Sequence, residues 1–162
     1  MVHAIASGVT MAPGPHIVLI ADDDRLVRET LGDAFDGLGW QVRTAASGGQ
    51  AIEVLEHARF DLLVSDIDMP DMTGFQLLSW VRTHLPPQPP VVLISARADD
   101  VLGRTALAEG ALTLLPKPVE VARLSNVLST LCRGEGLLAP RQSVKGHYPA
   151  AAPVALPPNP PL

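Results

Sequence analysis

Five times along the chain a short apolar run gives way to a stretch whose apolar residues recur at helical spacing. The runs are His16–Ala21, Trp40–Ala45, Leu62–Asp66, Val91–Ile94 and Thr113–Pro116. Each is too short for a buried helix and is bounded by polar, Gly or Pro residues, so each reads as a strand. Strands alternating with helices through mostly short connections predict an α/β fold, a parallel sheet covered by helices on both faces. The expected order is the doubly wound 2-1-3-4-5, with ligands gathering in the crevice beyond the carboxyl ends of the strands.

The helical patterns supply the two covers. Leu26, Val27, Leu31, Ala34, Phe35 and Leu38 form the expected buried face of the first helix. Asp24 is its candidate N-cap, Arg25, Arg28, Glu29, Asp33 and Asp36 take the other face, and Gly37 and Gly39 end it. Trp40 reads as an edge-strand aromatic and His57 as a solvated helix residue. Ser47-Gly48-Gly49 opens a second helix carrying Ile52, Val54, Leu55 and Ala58, and Phe75, Leu77, Leu78, Val81 and Leu85 mark a third. Pro86-Pro87-Gln88-Pro89-Pro90 follows as a rigid connector. A fourth helix runs from Asp99 to about Glu109, ended by Gly110, and a last from about Val119 to Cys132. Its expected stripe is Val121, Ala122, Leu124, Val127, Leu128 and Leu131.

Chemistry collects where the strands end. The first exits into Asp22-Asp23-Asp24, and the third ends at Asp66 before Ile67-Asp68-Met69-Pro70-Asp71-Met72-Thr73-Gly74. Pro70 cannot continue a ladder or a helix, and the Asp, Thr and Gly residues beside it are turn formers, so the chain loops here. If the two strands are neighbours, Asp22, Asp23 and Asp66 converge, and carboxylates that close raise one another's pKa unless a cation sits among them. A hard divalent ion such as Mg2+ answers that need. The fourth strand exits at Ser95-Ala96 and the fifth at Lys117-Pro118, adding a hydroxyl and an ammonium. Carboxylates for a metal, one carboxylate left as nucleophile, and a hydroxyl and Lys for phosphoryl oxygens are the parts of phosphoryl transfer onto an aspartate.

Ala21-Asp22-Asp23-Asp24, Ser65-Asp66-Ile67-Asp68-Met69-Pro70 with Gly74, Ile94-Ser95-Ala96 and Leu115-Pro116-Lys117-Pro118 stand in that order, each after an apolar run. From about His16 to Cys132 the chain thereby resembles the receiver domain of bacterial two-component response regulators, in a stand-alone, chemotaxis-regulator-like arrangement. The resemblance implies a flavodoxin-like receiver fold with Asp66 as phosphoacceptor. It implies Mg2+ bound directly by Asp23 and Asp66, through a water by Asp22, and by the backbone carbonyl of Asp68. Ser95 and Lys117 would bind the phosphoryl group, and the Lys117–Pro118 bond would be cis. Such a domain is a switch and not an enzyme in its own right, assisting only its own phosphorylation and dephosphorylation. Its implied partners are a sensor histidine kinase or histidine phosphotransfer protein, and a downstream protein on the face of the fourth helix, fifth strand and last helix; the resemblance also leaves room for a homodimer.

Departures from the pattern are informative. Leu114 stands where many receivers carry an aromatic residue, so a switch must use Ser95 and movement of the fourth helix instead. Asp68 lies beside the path of a hydrolytic water, and Arg97 is placed to pair with it. Other readings fare worse. Haloacid-dehalogenase-like phosphatases share Asp66-Ile67-Asp68 but place it on their first strand and carry a cap domain. A flavin module needs a phosphate loop after the first strand, where the Asp triplet repels phosphate. A degenerate receiver serving as a binding scaffold is the remaining alternative, weakened by the presence of Asp22, Asp23, Asp66, Ser95 and Lys117.

Composition bounds the rest. At 162 residues and 47% hydrophobic content the chain suits one domain with a real core. A net charge of -5 without a Lys or Arg run argues against direct nucleic-acid binding, and no apolar stretch is long enough to span a bilayer. Cys132 is alone and cannot form an internal disulfide, which fits a reducing cytoplasm. Residues 1–15 read as a disordered extension, 16–133 as the receiver domain, and 134–162, rich in Pro and Ala, as a disordered tail with no further output module.

Overall fold

The computed structural model describes residues 15–133; the expectations for residues 1–14 and for the tail lie outside them, as does the side chain of Cys132. Five strands and five helices alternate without exception: β1 (Ile17–Ala21), α1 (Arg25–Gly37), β2 (Gln41–Ala45), α2 (Gly48–His57), β3 (Leu62–Asp66), α3 (Gly74–His84), β4 (Val91–Ser95), α4 (Asp100–Ala108), β5 (Thr113–Pro116) and α5 (Val121–Arg133). All strand pairs are parallel, in the order β2-β1-β3-β4-β5. The doubly wound expectation holds. No helix among the described residues is long and apolar enough to cross a membrane.

Alternation along the strands builds two cores. Leu19, Ala21, Leu63, Val91 and Leu93 face α2, α3 and α4 through Leu55, Leu77, Leu78, Val81 and Ala106. Val18, Ile20, Leu62, Val64, Val92 and Ile94 face α1 and α5 through Leu31, Phe35, Leu124, Leu128 and Leu131. β3 and β4 are buried along their whole length, as interior strands with helices on both sides must be. β2, at the edge, alternates between exposed and half-buried residues until Ala45.

Three packing expectations are corrected. Leu26 is 69% exposed, because helical spacing puts it on the face of exposed Glu29, Thr30 and Asp33, while Val27 beside it packs against the core. Val121 and Ala122 are likewise exposed, and the α5 stripe starts at Leu124. Trp40 precedes β2 instead of belonging to it and is buried, its ring edge-on to Phe35 with centroids 5.7 Å apart. A large aromatic at the turn thus plugs the end of the α1 core.

Helix starts follow local chemistry. Asp24 caps α1 by accepting from the N–H groups of Leu26 and Val27, Ser47 caps α2, and Asp99 caps α4. Thr73 and Gln76 form a reciprocal capping box on α3. Gly39 and Gly110 turn the chain after α1 and α4 with φ of 83° and 98°, where a Cβ would strain the backbone. Lys117–Pro118 and Pro86–Pro87 are cis.

Gly74 is needed for lack of volume. A Cβ there would lie 2.5 Å from the carbonyl oxygen of Asp66 and 3.0 Å from Cα of Ile67, because α3 starts against the end of β3. Neither neighbour is a side chain that can swing aside. Gly74→Ala is expected to destabilise the chain by about 2 to 3 kcal/mol in urea unfolding; a change below about 0.5 kcal/mol, within the range of a neutral surface substitution, would show that the loop accommodates a methyl group.

Candidate functional site

The sheet register brings the acids together. Ala21 pairs with Ser65 in the β1–β3 ladder, so the next residues, Asp22 and Asp66, leave neighbouring strands at one level. Asp22, Asp23 and Asp66 each offer a carboxylate oxygen within 4.8 Å of the others. Asp22 is fully buried and Asp66 is 4% exposed, whereas Asp23 opens to solvent.

A single ammonium ties the two buried acids. Lys117 Nζ lies 2.7 Å from Asp22 Oδ2 and 3.1 Å from Asp66 Oδ2. The other oxygen of Asp22 accepts from the N–H of Asp24 at 2.9 Å, and Asp66 Oδ1 accepts from Asp68 at 3.3 Å. Asp22 therefore has both oxygens engaged, while Asp66 is held by one good contact and one long one. Burial pushes the Asp66 carboxyl above its ordinary value and the Asp22 carboxylate adds to this; the Lys117 contact and the Asp68 N–H oppose without cancelling it. For Lys117, burial disfavours the charged form, but hydrogen bonds and charge from Asp22 and Asp66 outweigh it and hold the ammonium above its usual value.

Ser95 and Lys117 meet at the same edge. Ser95 is buried at the end of β4, one residue past the Asp66–Ile94 pair, and its carbonyl accepts from the N–H of Lys117 at 2.9 Å. Its hydroxyl oxygen accepts from the N–H of Arg97 at 3.0 Å, which leaves the hydroxyl proton free to donate. Arg97 reaches across to Asp68, Nη2 to Oδ1 at 2.8 Å, so the anticipated pair is formed. Pro70 sits exposed in the β3–α3 loop between buried Met69 and Asp71. Leu114 is half-buried against the α2, α3 and α4 core.

Two supporting residues escape a reading of the sequence alone. Arg28, expected on the solvated face of α1, folds back so that Nη1 donates to the carbonyls of Asp22 and Asp23 at 2.8 and 3.2 Å. The same two residues have their side chains in the acidic cluster with Asp66. Asp71, one turn former among several in the sequence, accepts from the N–H groups of Gly48 and Gly49 at 3.0 and 2.7 Å. The Arg lies one helical turn inside α1, a spacing any solvated helix also shows; the Asp71 partners are more than twenty residues away, and no local signal points to them.

The donor set suits a hard cation. Three carboxylates face one ammonium, so the cluster carries surplus negative charge, and its ligand atoms are all oxygen. The same surplus has a cost when no metal is present. Folding raises the Asp66 pKa, so ionising this group is harder in the folded chain than in the unfolded one. The penalty is absent below the unfolded-state pKa and complete once pH exceeds the folded-state value. In chelator-treated buffer, Asp66→Asn is therefore expected to raise stability at neutral pH, with the gain fading as pH falls through the raised folded-state value and gone below about 4 in urea titrations. A loss of stability at neutral pH would mean that the Lys117 contact dominates.

Relatives share this arrangement of strands and sequence. The profile of the response regulator receiver domain matches residues 18–129. The chain is 34% identical over 118 residues to two-component response regulator ARR12 of Arabidopsis thaliana, covering 72% of this chain and 20% of that protein. It is 35% identical over 122 residues to transcriptional regulatory protein AfsQ1 of Streptomyces coelicolor, covering 75% and 53%. The chain thus spans from about a fifth to about half of the length of these relatives. Among solved structures, a putative response regulator from Chloroflexus aurantiacus superposes with a TM-score of 0.69 at 31% identity, covering 74% of this chain and 99% of that one. Chemotaxis response regulator CheY4 of Vibrio cholerae superposes with a TM-score of 0.67 at 29% identity, covering 73% and 99%. With the matched profile taking in residues of every strand and every helix, the chain belongs to the response regulator receiver domain family.

Proposed function

We propose that this chain is the phosphoacceptor switch of a two-component or phosphorelay system, phosphorylated on Asp66 with the help of Mg2+. The observation that carries the reading is the meeting of Asp22, Asp23, Asp66 and Lys117 at one end of the sheet, with Ser95 hooked to Lys117 beside them. The receiver unit is residues 16–133. A sensor histidine kinase or histidine phosphotransfer protein is the donor, and the protein works in the cytoplasm through protein contacts, with no direct role for nucleic acid or membrane.

In the proposed step, an Asp66 carboxylate oxygen attacks the phosphorus of a phosphohistidine in line. The new O–P bond forms as the P–N bond breaks, and the bonding pair returns to the imidazole nitrogen. Asp23, Asp66 and the carbonyl of Asp68 would hold Mg2+, with Asp22 acting through a water; when bound, the ion neutralises charge developing on the transferred group. Arg28 keeps the Asp22–Asp23 segment turned toward the site. Lys117, already at Asp66, needs only a short shift to reach a phosphoryl oxygen, and the free proton of Ser95 donates to another. Since Arg97 is bonded to Ser95 through its N–H and to Asp68 through its guanidinium, a displacement of Ser95 is felt at the entrance to α4. The face of α4, β5 and α5 then changes; Val101, Leu107 and Val121 are exposed on those two helices and suit a downstream protein or a second copy.

Intact mass after incubation with acetyl phosphate and Mg2+ tests the reading. The native chain is expected to gain one phosphoryl group that requires Mg2+ and is released by hydroxylamine, and Asp66→Asn is expected to gain none. Lys117→Ala is expected to slow labelling by about a hundredfold at saturating Mg2+. If neither acetyl phosphate nor histidine kinases label the native chain, the switch is abandoned in favour of a receiver used as a binding scaffold.

A further inference from the structure

The loop between β3 and α3 carries the Asp68 carbonyl, and its ends are fixed by the backbone. The N–H of Ile67 donates to the carbonyl of Ile94 at 3.0 Å, and that of Gly74 to the carbonyl of Ile67 at 2.9 Å. Its middle has a different tether. Asp71 uses both carboxylate oxygens on consecutive N–H groups at the start of α2, Oδ1 on Gly48 and Oδ2 on Gly49. Met72 follows and its side chain lies over Gly48, where a Cβ would collide with it. At Gly49 a Cβ would already touch Asp71 Oδ2 at 3.4 Å. The missing side chain at Gly48 thus lets the loop settle onto the first turn of α2.

We infer that Asp71 is a positioning residue for the metal: by clamping the β3–α3 loop to the amino end of α2, it fixes where the Asp68 carbonyl stands relative to Asp23 and Asp66. The inference rests on the Mg2+ site proposed above and goes beyond it, since Asp71 is not part of the acidic cluster. Three features support a clamp over a stray surface cap. Asp71 is solvent-exposed, yet both oxygens are bonded to a segment more than twenty residues earlier in the chain. The clamp joins the loop that bears the proposed ligand to a helix whose N-cap, Ser47, is already provided for by its bond to Gln50 at 3.1 Å. The Gly49 N–H, foremost, and that of Gly48 hold the Asp71 carboxyl below its ordinary range, so the clamp is charged at neutral pH.

Outer partners that orient a ligand commonly alter metal affinity by tenfold or more when removed. Calorimetric titration of the full chain with MgCl2 provides the test, comparing Asp71→Ala, Asp71→Asn and Ser47→Ala. Ser47→Ala weakens the same helix start but leaves the loop clamp intact, so it controls for lost stability. Asp71→Ala is expected to weaken Mg2+ binding about tenfold. Asp71→Asn, which keeps one acceptor oxygen, is expected to fall between it and the native chain, and Ser47→Ala to bind as the native chain does. With acetyl phosphate, the Asp71→Ala rate is expected to return to the native rate at saturating Mg2+. Native affinity in Asp71→Ala, or equal weakening in Ser47→Ala, overturns the inference while the proposed function stands. Failure of the native chain to bind Mg2+ overturns both.

Discussion

Like charges gathered at the end of a buried strand repel, and the folded chain must hold them there against that repulsion. Asp22 and Asp66 are both almost wholly out of solvent, and among the described residues the one cation reaching both is Lys117. The ammonium comes from the far side of Asp66, at the end of β5, so the three groups follow β1, β3 and β5 and reach across four of the five strands. β1, β3 and β5 therefore have to stop at one level for the charges to balance. The ladders meet that requirement with parallel pairing and no bulge between Asp22, Asp66 and Ser95.

The surrounding structure can be understood as support for this balance. Arg28 braces the acidic loop from α1, Asp71 braces the β3–α3 loop from α2, and Arg97 spans from the β4–α4 loop to Asp68. The braces come from α1, the β3–α3 loop and the β4–α4 loop, and each uses a charged group on a backbone or side-chain partner, the stronger kind of hydrogen bond. What they leave is a site with its cations committed and its negative charge in surplus, poised for a hard cation and a phosphoryl group in the proposed switch.

Much of this was legible in the sequence because the signals are local. Strand runs such as Ile17–Ala21 and Val91–Ser95 are continuous apolar stretches, and Asp22, Asp66, Ser95 and Lys117 each follow one directly. Once alternation fixes parallel strands, residues at the same end of their strands must meet. The misses have another character. Apolar character alone puts Leu26 with the core although it lies off the stripe of Val27, Leu31 and Phe35, and helical spacing does not show where α5 first meets the sheet, so Val121 is on the stripe yet exposed. Trp40 reads as an edge residue in the sequence because its burial depends on Phe35 and His16 coming around a turn. Arg28 and Asp71 act on backbone groups, which carry no residue identity for a sequence to display.

The bond from the N–H of Lys117 to the carbonyl of Ser95 carries a thermodynamic consequence. Two groups that close independently around an anion each surrender their own conformational freedom, and the losses add. Here the last residue of β4 and the first beyond β5 are yoked through their main chains, so they approach or retreat as one body. The entropy lost on enclosing an anion is shared between them instead of doubled, and the ends of these two neighbouring strands respond to it as a single lever.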